Sequence, residues 1–567
     1  MKRPWVGWLV FVLAAAGCGP RKKNSQSSDG GAIADLSVLC LPTCSDDRRQ
    51  VVDCNSAPLQ SCADTAFCDL TLRACVDACA DSATKRSSIG CEYYATLMPQ
   101  YKNACFAAFV ANTWSKPAHL QVSYQGKSLP VATFARIPSG FGPGLTYKAY
   151  NDQLGIPAGE VVILFLAGSQ KGDVPCPVEA ALPLLESTSN TQVASSFRIE
   201  SDVPVVAYQM NPYGGGAAAV TGASLLLPTS VWDTNYVATN AYDFDPSLAE
   251  SIPSIEIIAA QDDTQVIMVP VTALAAGQGI PGADAGKQMV FTLQRGQRAQ
   301  LSEKKSLTGS IIESTKPIGF LTGNKCFHVP LNVSYCDHGE QMLPPIKALG
   351  SEYVGVMYRP RKGEPAIWRV VGVVKDTQLS WSKNVGGPAT LGLGQVGEFV
   401  TGEPFVVKSQ DEDHPFMLFS YMSGSTWKAG LSDYGDPDFV ISVPPQQYMK
   451  NYVLFADPTY PETNLVLVRA REGEQFFDVN LDCLGPVGGW KAVGDYEWTR
   501  VDLSTGNFQP VGKCQTGRHE LTSSGKFGLW VWGWGTPNTS PNTQNVSYGY
   551  PAGMNVQLIN KVEIPPS

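Results

Sequence analysis

The chain has 567 residues, of which 44% are apolar and only 16% are charged, with 54 glycines and 41 prolines. This turn-rich composition excludes a disordered or long-helical protein and favours an all-β fold. The formal charge of −9 argues against a nucleic-acid partner, because such a partner requires clustered Lys and Arg side chains.

The amino terminus has the pattern of an export signal. Lys2 and Arg3 precede an apolar run over residues 5–16, and small residues lead directly to Cys18. A cysteine at this point is typical of a bacterial lipoprotein, although Ala15 stands where such signals usually carry Leu. Ordinary cleavage that leaves Cys18 as a thiol or disulfide partner is the alternative. No other apolar run approaches the roughly 20 residues that span a bilayer.

We therefore predict a signal peptide at residues 1–17, and a lipidated Cys18 with a flexible polar tether at residues 18–36. The lipid would be the only attachment to the membrane. The predicted location is the cell envelope, at the outer membrane or the cell surface.

Cysteines dominate the next segment. Seven of the 15 lie between Cys40 and Cys79, and Cys91 follows as an eighth. Removing Cys18 leaves 14, an even number, as a disulfide framework requires. So short a segment cannot build a sufficient core, and cross-links are the usual remedy. We predict a disulfide module at residues 37–90; a zinc site is disfavoured because paired Cys-x-x-Cys spacing is missing.

Residues 91–567 have the texture of strands and turns, with an outline that recurs. The recurring features are two proline steps and a Tyr-Val pair that opens a strand: Pro204, Pro317 and Pro415; Pro228, Pro345 and Pro445; Tyr236, Tyr353 and Tyr452. A fourth copy has Lys526-Phe527 in place of Lys-Pro, and a last strand at residues 556–559 would close a ring. Each period of about 100 residues would hold roughly seven or eight strands. We predict a repeat-built β-propeller of about seven or eight blades; tandem β-sandwiches fit the same period.

The stretch from Leu307 to Tyr353 resembles the IgGFc-binding protein amino-terminal domain family. The residues that carry the resemblance are Leu307-Thr308-Gly309, Ser314-Thr315-Lys316-Pro317-Ile318, Cys326, Cys336-Asp337-His338, Gln341-Met342-Leu343-Pro344-Pro345 and Tyr353. The similarity covers about residues 90–560. It implies an extracellular or cell-surface binding domain, and it supplies no catalytic residues.

Two cysteine pairs are candidate disulfides, Cys326 with Cys336 and Cys483 with Cys514. His328 and His338 could complete a zinc site with the first pair, but an oxidising compartment favours the disulfide. Five aspartates could supply calcium with oxygen ligands or could simply form turns: Asp411, Asp413, Asp433, Asp436 and Asp438. We predict no metal site and no cofactor, and we leave calcium open.

Aromatic residues alternate along one predicted strand and recur near it, namely Trp530, Trp532, Trp534, Tyr548 and Tyr550. They are either a core stripe or a platform for sugar rings or protein contacts.

Catalytic signatures are mostly absent, since the chain has neither Gly-x-Ser-x-Gly nor His-Glu-x-x-His. We predict a surface lipoprotein, not an enzyme, that binds or adheres to an extracellular protein or glycan. The alternatives are a polysaccharide-active enzyme on a propeller scaffold and a structural component of an envelope assembly.

Overall fold

The computed structural model describes residues 41–101, 103–171, 174–214, 220–537 and 544–566. The predicted signal peptide, Cys18 and the tether lie outside the described residues. Within those residues the chain is all-β, as predicted, with only two short α-helices.

Two small sheets and one helix form the disulfide module. Its elements are β1 Thr43–Cys44, β2 Gln50–Val52, β3 Pro58–Ser61, β4 Ala66–Asp69, β5 Ala74–Asp77 and α1 Ala78–Lys85. Asp77 caps α1 by accepting a hydrogen bond from the Ala80 N–H at 2.9 Å.

Cross-links hold this module together. The disulfides are Cys44–Cys68 and Cys62–Cys75, which join the two sheets, and Cys79–Cys91, which joins α1 to the next strand. Cys54 is disulfide-bonded as well. Val51 and Val52 are among the few buried apolar side chains here, so the covalent links take the place of a larger core.

Four units of strands follow, and the first is built mainly from residues 89–225. This segment contains β6 Ile89–Ala95, β7 Phe106–Asn112, β8 Leu120–Tyr124, β9 Lys127–Leu129, α2 Val131–Phe134, β10 Ala135–Ser139, β11 Thr146–Ala149, β12 Val161–Ala167, β13 Gln192–Ser195, β14 Phe197–Met210 and β15 Ala223–Leu225. β13 crosses over and pairs with a strand of the second unit.

The second unit continues with β16 Asp233–Val237, β17 Pro253–Ala259, β18 Thr264–Val269, β19 Met289–Leu293, β20 Gln297–Ser302, β21 Ile311–Phe327 and β22 Asp337–Met342. The third contains β23 Glu352–Gly355, β24 Ala366–Gly372, β25 Thr377–Gln378, β26 Ser380–Trp381, β27 Thr390–Leu391, β28 Val396–Thr401, β29 Phe405–Lys408, β30 Phe416–Met422 and β31 Asp438–Ile441. The fourth contains β32 Met449–Ala456, β33 Glu462–Ala470, β34 Val479–Leu481, β35 Gly485–Pro486, β36 Lys491–Val493, β37 Tyr496–Thr505, β38 Gln509–Pro510, β39 Gly517–Trp534 and β40 Ser547–Pro551.

One hydrogen bond occurs in all four units. A buried tyrosine hydroxyl donates to the carbonyl oxygen of the residue just after the first proline step: Tyr93 to Val205 at 2.6 Å, Tyr236 to Ile318 at 2.8 Å, Tyr353 to Phe416 at 2.7 Å and Tyr452 to Phe527 at 2.5 Å. In the fourth unit this bond places Lys526, and not Phe527 as the sequence comparison has it, at the position of the proline. Each bond fixes the strand that begins a unit against the last strand but one of that unit.

In the second proline step, the structure shifts the equivalent residue of the last copy by one position. Pro228, Pro345 and Pro444 each precede a single 3₁₀ turn, so Pro444 and not Pro445 is the equivalent residue. Pro445 is instead the first residue of its turn, a position that tolerates proline because its N–H would have no partner there.

Four short strands, one from each unit, meet at the centre. β15, β22, β31 and β40 each contact two of the others in cyclic order. The Gln341 side-chain amide bridges this centre by donating to the Ala223 carbonyl at 3.0 Å and to the Gly549 carbonyl at 3.2 Å.

Hydrogen bonding joins the strands of the first, second and fourth units into sheets of nine, eight and nine strands, with β13 counted in the second, whereas the third unit has three separate sheets of three, four and two strands. These pairings do not show a ring of seven or eight separate blades. In the first, second and fourth units, one long strand serves both halves of the unit. β39 pairs with β32 and β34 along residues 517–523, and with β33 and β40 along residues 527–534. A count of strands from the sequence assigns the two halves of β39 to two blades, although they are one continuous strand.

The segment after β40 does not form the additional strand predicted at residues 556–559. The Val556 N–H donates to the Arg86 carbonyl at 2.7 Å, the Asn560 amide donates to the Ile346 carbonyl at 2.8 Å, and Asn235 exchanges two hydrogen bonds with Ile564. Its partners thus belong to several elements, namely the end of α1, strand β16 and the 3₁₀ turn at residues 346–348, and not to one neighbouring strand. This segment, residues 554–564, is called the carboxy-terminal belt below.

Candidate binding cleft

A cleft of about 340 Å³ lies between the first and fourth units. The first unit contributes Pro138, Gly140, Glu160 and Val161. The fourth unit contributes Phe455, Pro458, Asp482, Cys483, Lys513, Gln515, Thr516, Gly517, Arg518 and His519. Most of the fourth unit's lining comes from the start of β39 and the residues that precede and face it.

Sheet pairing brings Asp482 and His519 together from positions 37 residues apart. Leu481 pairs with Leu521, so the residue after β34 faces the start of β39. The His519 ring then lies with Nδ1 2.8 Å from the Asp482 carboxylate and Nε2 2.5 Å from the Gln515 carbonyl oxygen. Both neighbours are hydrogen-bond acceptors, and they fix the orientation of the ring in the cleft wall.

The contact with His519 affects the pKa of the Asp482 carboxyl. Burial by itself raises the pKa of Asp482, but the hydrogen bond and positive charge of His519 and two backbone N–H donors outweigh it, and the pKa is lowered. The ion pair is therefore a stable part of the cleft wall.

Other polar groups of the cleft have unused capacity for hydrogen bonding. The Thr516 hydroxyl and the Arg518 Nε are buried atoms that have no partner in the described part of the chain. Lys513 is exposed and forms no ion pair with a described residue. Arg518 also binds Glu520 through Nη2 at 2.8 Å. These groups can form further hydrogen bonds with water or with a polar molecule that enters the cleft.

One of the two predicted cysteine pairs lies at this cleft. Cys483 is bonded to Cys514; Cys483 lines the cleft, whereas Cys514 is only 1% exposed. An Asp482 oxygen, the Cys483 sulfur and a His519 nitrogen all lie within 4.8 Å of one another. This group does not suit a metal ion, because a disulfide sulfur is not a thiolate and both ring nitrogens already have hydrogen-bond partners.

The other predicted pair, Cys326 and Cys336, is also joined in the structure. Its two histidines point to other partners: His328 Nδ1 lies 2.7 Å from Asp245, and His338 is buried beside Glu340. The alternative zinc set is therefore not assembled.

The five aromatic residues considered as a binding platform lie inside the core. Trp530 is 6% exposed, and Trp532, Trp534, Tyr548 and Tyr550 are each 2% exposed or less. β39 has β33 on one side and β40 on the other, and Tyr358 of the third unit packs on Trp532 with ring centroids 4.9 Å apart. The platform interpretation is wrong for these rings, because neighbouring units cover the surface they would offer.

The aspartates considered for calcium lie in different parts of the fold. Asp436 and Asp438 are buried near the central strands, and burial raises the pKa of Asp436 to about 6. Asp411 lies in an exposed loop, where its carboxylate is 2.6 Å from His414 Nδ1. They do not converge as one ligand set.

Sequence reasoning missed the cleft residues His519, Thr516 and Arg518. The available signal was weak: His519 is one of only five histidines, and it follows a paired cysteine by five residues. Nothing in the sequence indicates that Asp482 faces it, since that follows from strand register.

The cleft and the disulfides define an all-β, disulfide-bonded protein with a polar groove between two of its units. A family model described as IgGFc binding protein matches residues 222–533, which is more than half of the chain. The chain belongs to this family, in agreement with the resemblance drawn from sequence. No curated protein and no solved structure matches it. Among the described residues, no helix has the length and apolarity to cross a membrane.

Proposed function

We propose that this chain is an extracellular protein-binding module, held at the cell envelope by a lipid on Cys18. The observation that carries the proposal is the match to a family described by its binding of a protein, over residues 222–533. Six disulfides between described cysteines support an oxidising compartment outside the cytoplasm.

The cleft between the first and fourth units is the recognition surface in this proposal. It offers an exposed lysine, Lys513, beside the unpartnered Thr516 hydroxyl and the Arg518 guanidinium. A polar segment of a partner that enters the cleft would satisfy these donors. Interfaces gain specificity in this way, because a buried donor left without a partner costs free energy.

A direct binding measurement tests this proposal. Residues 37–567 would be produced in an oxidising host and titrated against immobilised immunoglobulin Fc, the probe that the family description suggests, and against purified proteins of the host's extracellular medium. We expect saturable binding to a protein that falls about tenfold or more in Lys513→Glu, since the substitution reverses a charge at the cleft.

Lys287→Glu is the matched control, because Lys287 is an exposed lysine of the second unit that does not line the cleft. Equal binding by Lys513→Glu and the unsubstituted protein would remove the cleft from the proposal. Turnover of a polysaccharide, with no protein bound by any probe, would reject the binding role itself.

The anchor has a test of its own. In the native host, Cys18→Ser should move the protein from the membrane fraction to the soluble fraction, and mass spectrometry of the amino-terminal peptide should show acyl chains on Cys18. An unmodified Cys18 would exclude the anchor and leave the binding role untouched.

A further inference from the structure

We propose that the Cys483–Cys514 disulfide is an exchange site, at which a small thiolate enters the cleft and forms a mixed disulfide with Cys483. This activity is separate from the binding role proposed above and does not depend on it.

The accessibility of the two sulfurs to solvent determines whether Cys483 or Cys514 is attacked. Cys483 lines a cleft of about 340 Å³, and Cys514 is 1% exposed. A thiolate attacks along the axis of a disulfide and must reach one sulfur directly. Cys483 is half-buried and is the more accessible of the two cysteines, so it is the one attacked and Cys514 is the leaving group.

The charges around Cys483 favour the reaction. A nitrogen of His519 and an oxygen of Asp482 both lie within 4.8 Å of the Cys483 sulfur, and the two groups are hydrogen-bonded to each other, so the carboxylate does not face the sulfur without a partner. Lys513, next to Cys514 in sequence, supplies the positive charge of the cleft lining that has no ion-pair partner among the described residues. During exchange the negative charge of the thiolate spreads over three sulfurs, so cations close to the central sulfur stabilise the transition state.

The exchange needs no reactant other than the incoming thiolate. The incoming thiolate sulfur forms a bond with Cys483 Sγ, and the Cys483–Cys514 bond breaks with its electron pair leaving on Cys514 Sγ. The incoming sulfur is oxidised to a disulfide and Cys514 is reduced to a thiolate. Attack by Cys514 on the mixed disulfide reverses the step and regenerates the starting pair.

The Cys105–Cys176 disulfide provides an internal reference. Both of its cysteines are buried, at 3% exposure or less, so a thiolate has no access to them in the folded protein. Opening of this pair would report unfolding and not exchange at the cleft.

The test uses the mature, fully oxidised chain and 2-mercaptoethanol, a neutral thiol. After brief incubation, free thiols are alkylated at low pH and the disulfide-linked peptides are mapped by mass spectrometry. We expect a mixed disulfide on Cys483 and an alkylated Cys514, with Cys105–Cys176 intact. The exchange rate should fall roughly tenfold in His519→Gln, because the substitution leaves the Asp482 carboxylate without its partner a few ångströms from the reacting sulfur, where it repels the thiolate.

Salt dependence separates a charge effect from a structural one. Added salt should slow exchange in the unsubstituted protein and have little effect in His519→Gln. Lys513→Gln, a change at an exposed side chain, should slow exchange severalfold without affecting folding. His414→Gln is the matched control: His414 also contacts an aspartate, Asp411, but it does not line the cleft, so its loss should leave the rate unchanged.

Three results would overturn the proposal. They are a mixed disulfide on Cys514 instead of Cys483, opening of another pair before this one, and exchange rates in His519→Gln and Lys513→Gln equal to that of the unsubstituted protein.

Discussion

The hydroxyl of Tyr452 donates to the carbonyl oxygen of Phe527 at 2.5 Å, and the same hydroxyl accepts the Met449 N–H at 3.0 Å. Both groups are inside the fourth unit, where Tyr452 is 2% exposed. The bond joins the first strand of the unit to β39 at the point where β39 changes its pairing partners.

Tyr452→Phe should destabilise the protein by roughly 1–3 kcal/mol, because it leaves a buried carbonyl and a backbone N–H without a partner while the ring itself is retained. The free energy of unfolding, measured by urea titration, checks this. Tyr335→Phe is the control, since Tyr335 is 55% exposed, and its change should be close to zero. Equal values for the two variants would show that the repeated tyrosine bond contributes nothing.

The stability of the protein should fall as the pH rises from about 4 to about 6, in part because of Asp457. Burial raises the pKa of Asp457 to about 6, so the folded form holds a proton that the unfolded form releases at lower pH. Stability from this group is therefore fully present below the ordinary aspartate pKa and is lost as the pH passes the raised value.

Asp457→Asn should consequently stabilise the protein at pH 8, by an amount of the order of 3 kcal/mol, and should have little effect at pH 4. Its amide oxygen can still accept from Thr459, which donates to the carboxylate through its N–H at 2.7 Å and its hydroxyl at 2.6 Å. Unfolding titrations at both pH values measure the difference. A constant difference at the two values would show that the carboxyl does not titrate in this range.

Trp532→Ala should cost about 3–5 kcal/mol, as expected for removing a large side chain from a packed core. Trp532 is 2% exposed and contacts the ring of Tyr358. Trp427→Ala, at a half-buried position, should cost less. If Trp532→Ala lowered ligand binding while stability was unchanged, the ring would belong to a binding surface after all.

Asn560→Ala should loosen the carboxy-terminal belt. The Asn560 amide donates to the carbonyls of Ile346 and Leu349 at 2.8 and 2.9 Å, and its loss leaves two acceptors unpaired. We expect faster hydrogen exchange in residues 554–564 and in the 3₁₀ turn at residues 346–348, with no change in strands β1 to β5 of the disulfide module. Uniformly unchanged exchange would contradict a role for the belt in joining the units.

The sequence was informative where one residue type is required locally. The tyrosine in the first strand of a unit and the proline steps mark strand starts and turns, so the period is visible at Tyr236, Tyr353 and Tyr452. The number of blades was not predictable, because a continuous strand such as β39 serves two sheet halves and the sequence does not show where its partners change.

The cleft was harder to predict than the fold. The predicted platform at Trp530 and Trp532 does not line the cleft, because both side chains are buried. An alternating pattern of tryptophans is the same in sequence for a buried and for an exposed strand face. The contact between Asp482 and His519 depends on the register of β34 against β39, which no local pattern encodes. Only the cysteine spacing pointed to this place in the chain.

The carboxy-terminal belt makes some of the contacts of longest sequence separation in the described part of the molecule. Arg86 donates to the carbonyl of Val556, and these residues are 470 positions apart. A contact of such sequence separation forms late, since the intervening loop must be closed first. The strand pairings within the four units would therefore form before the belt joins the units, with the faces that later meet at the centre still open to water. Until the belt is in place, these open faces are the surfaces most prone to aggregation.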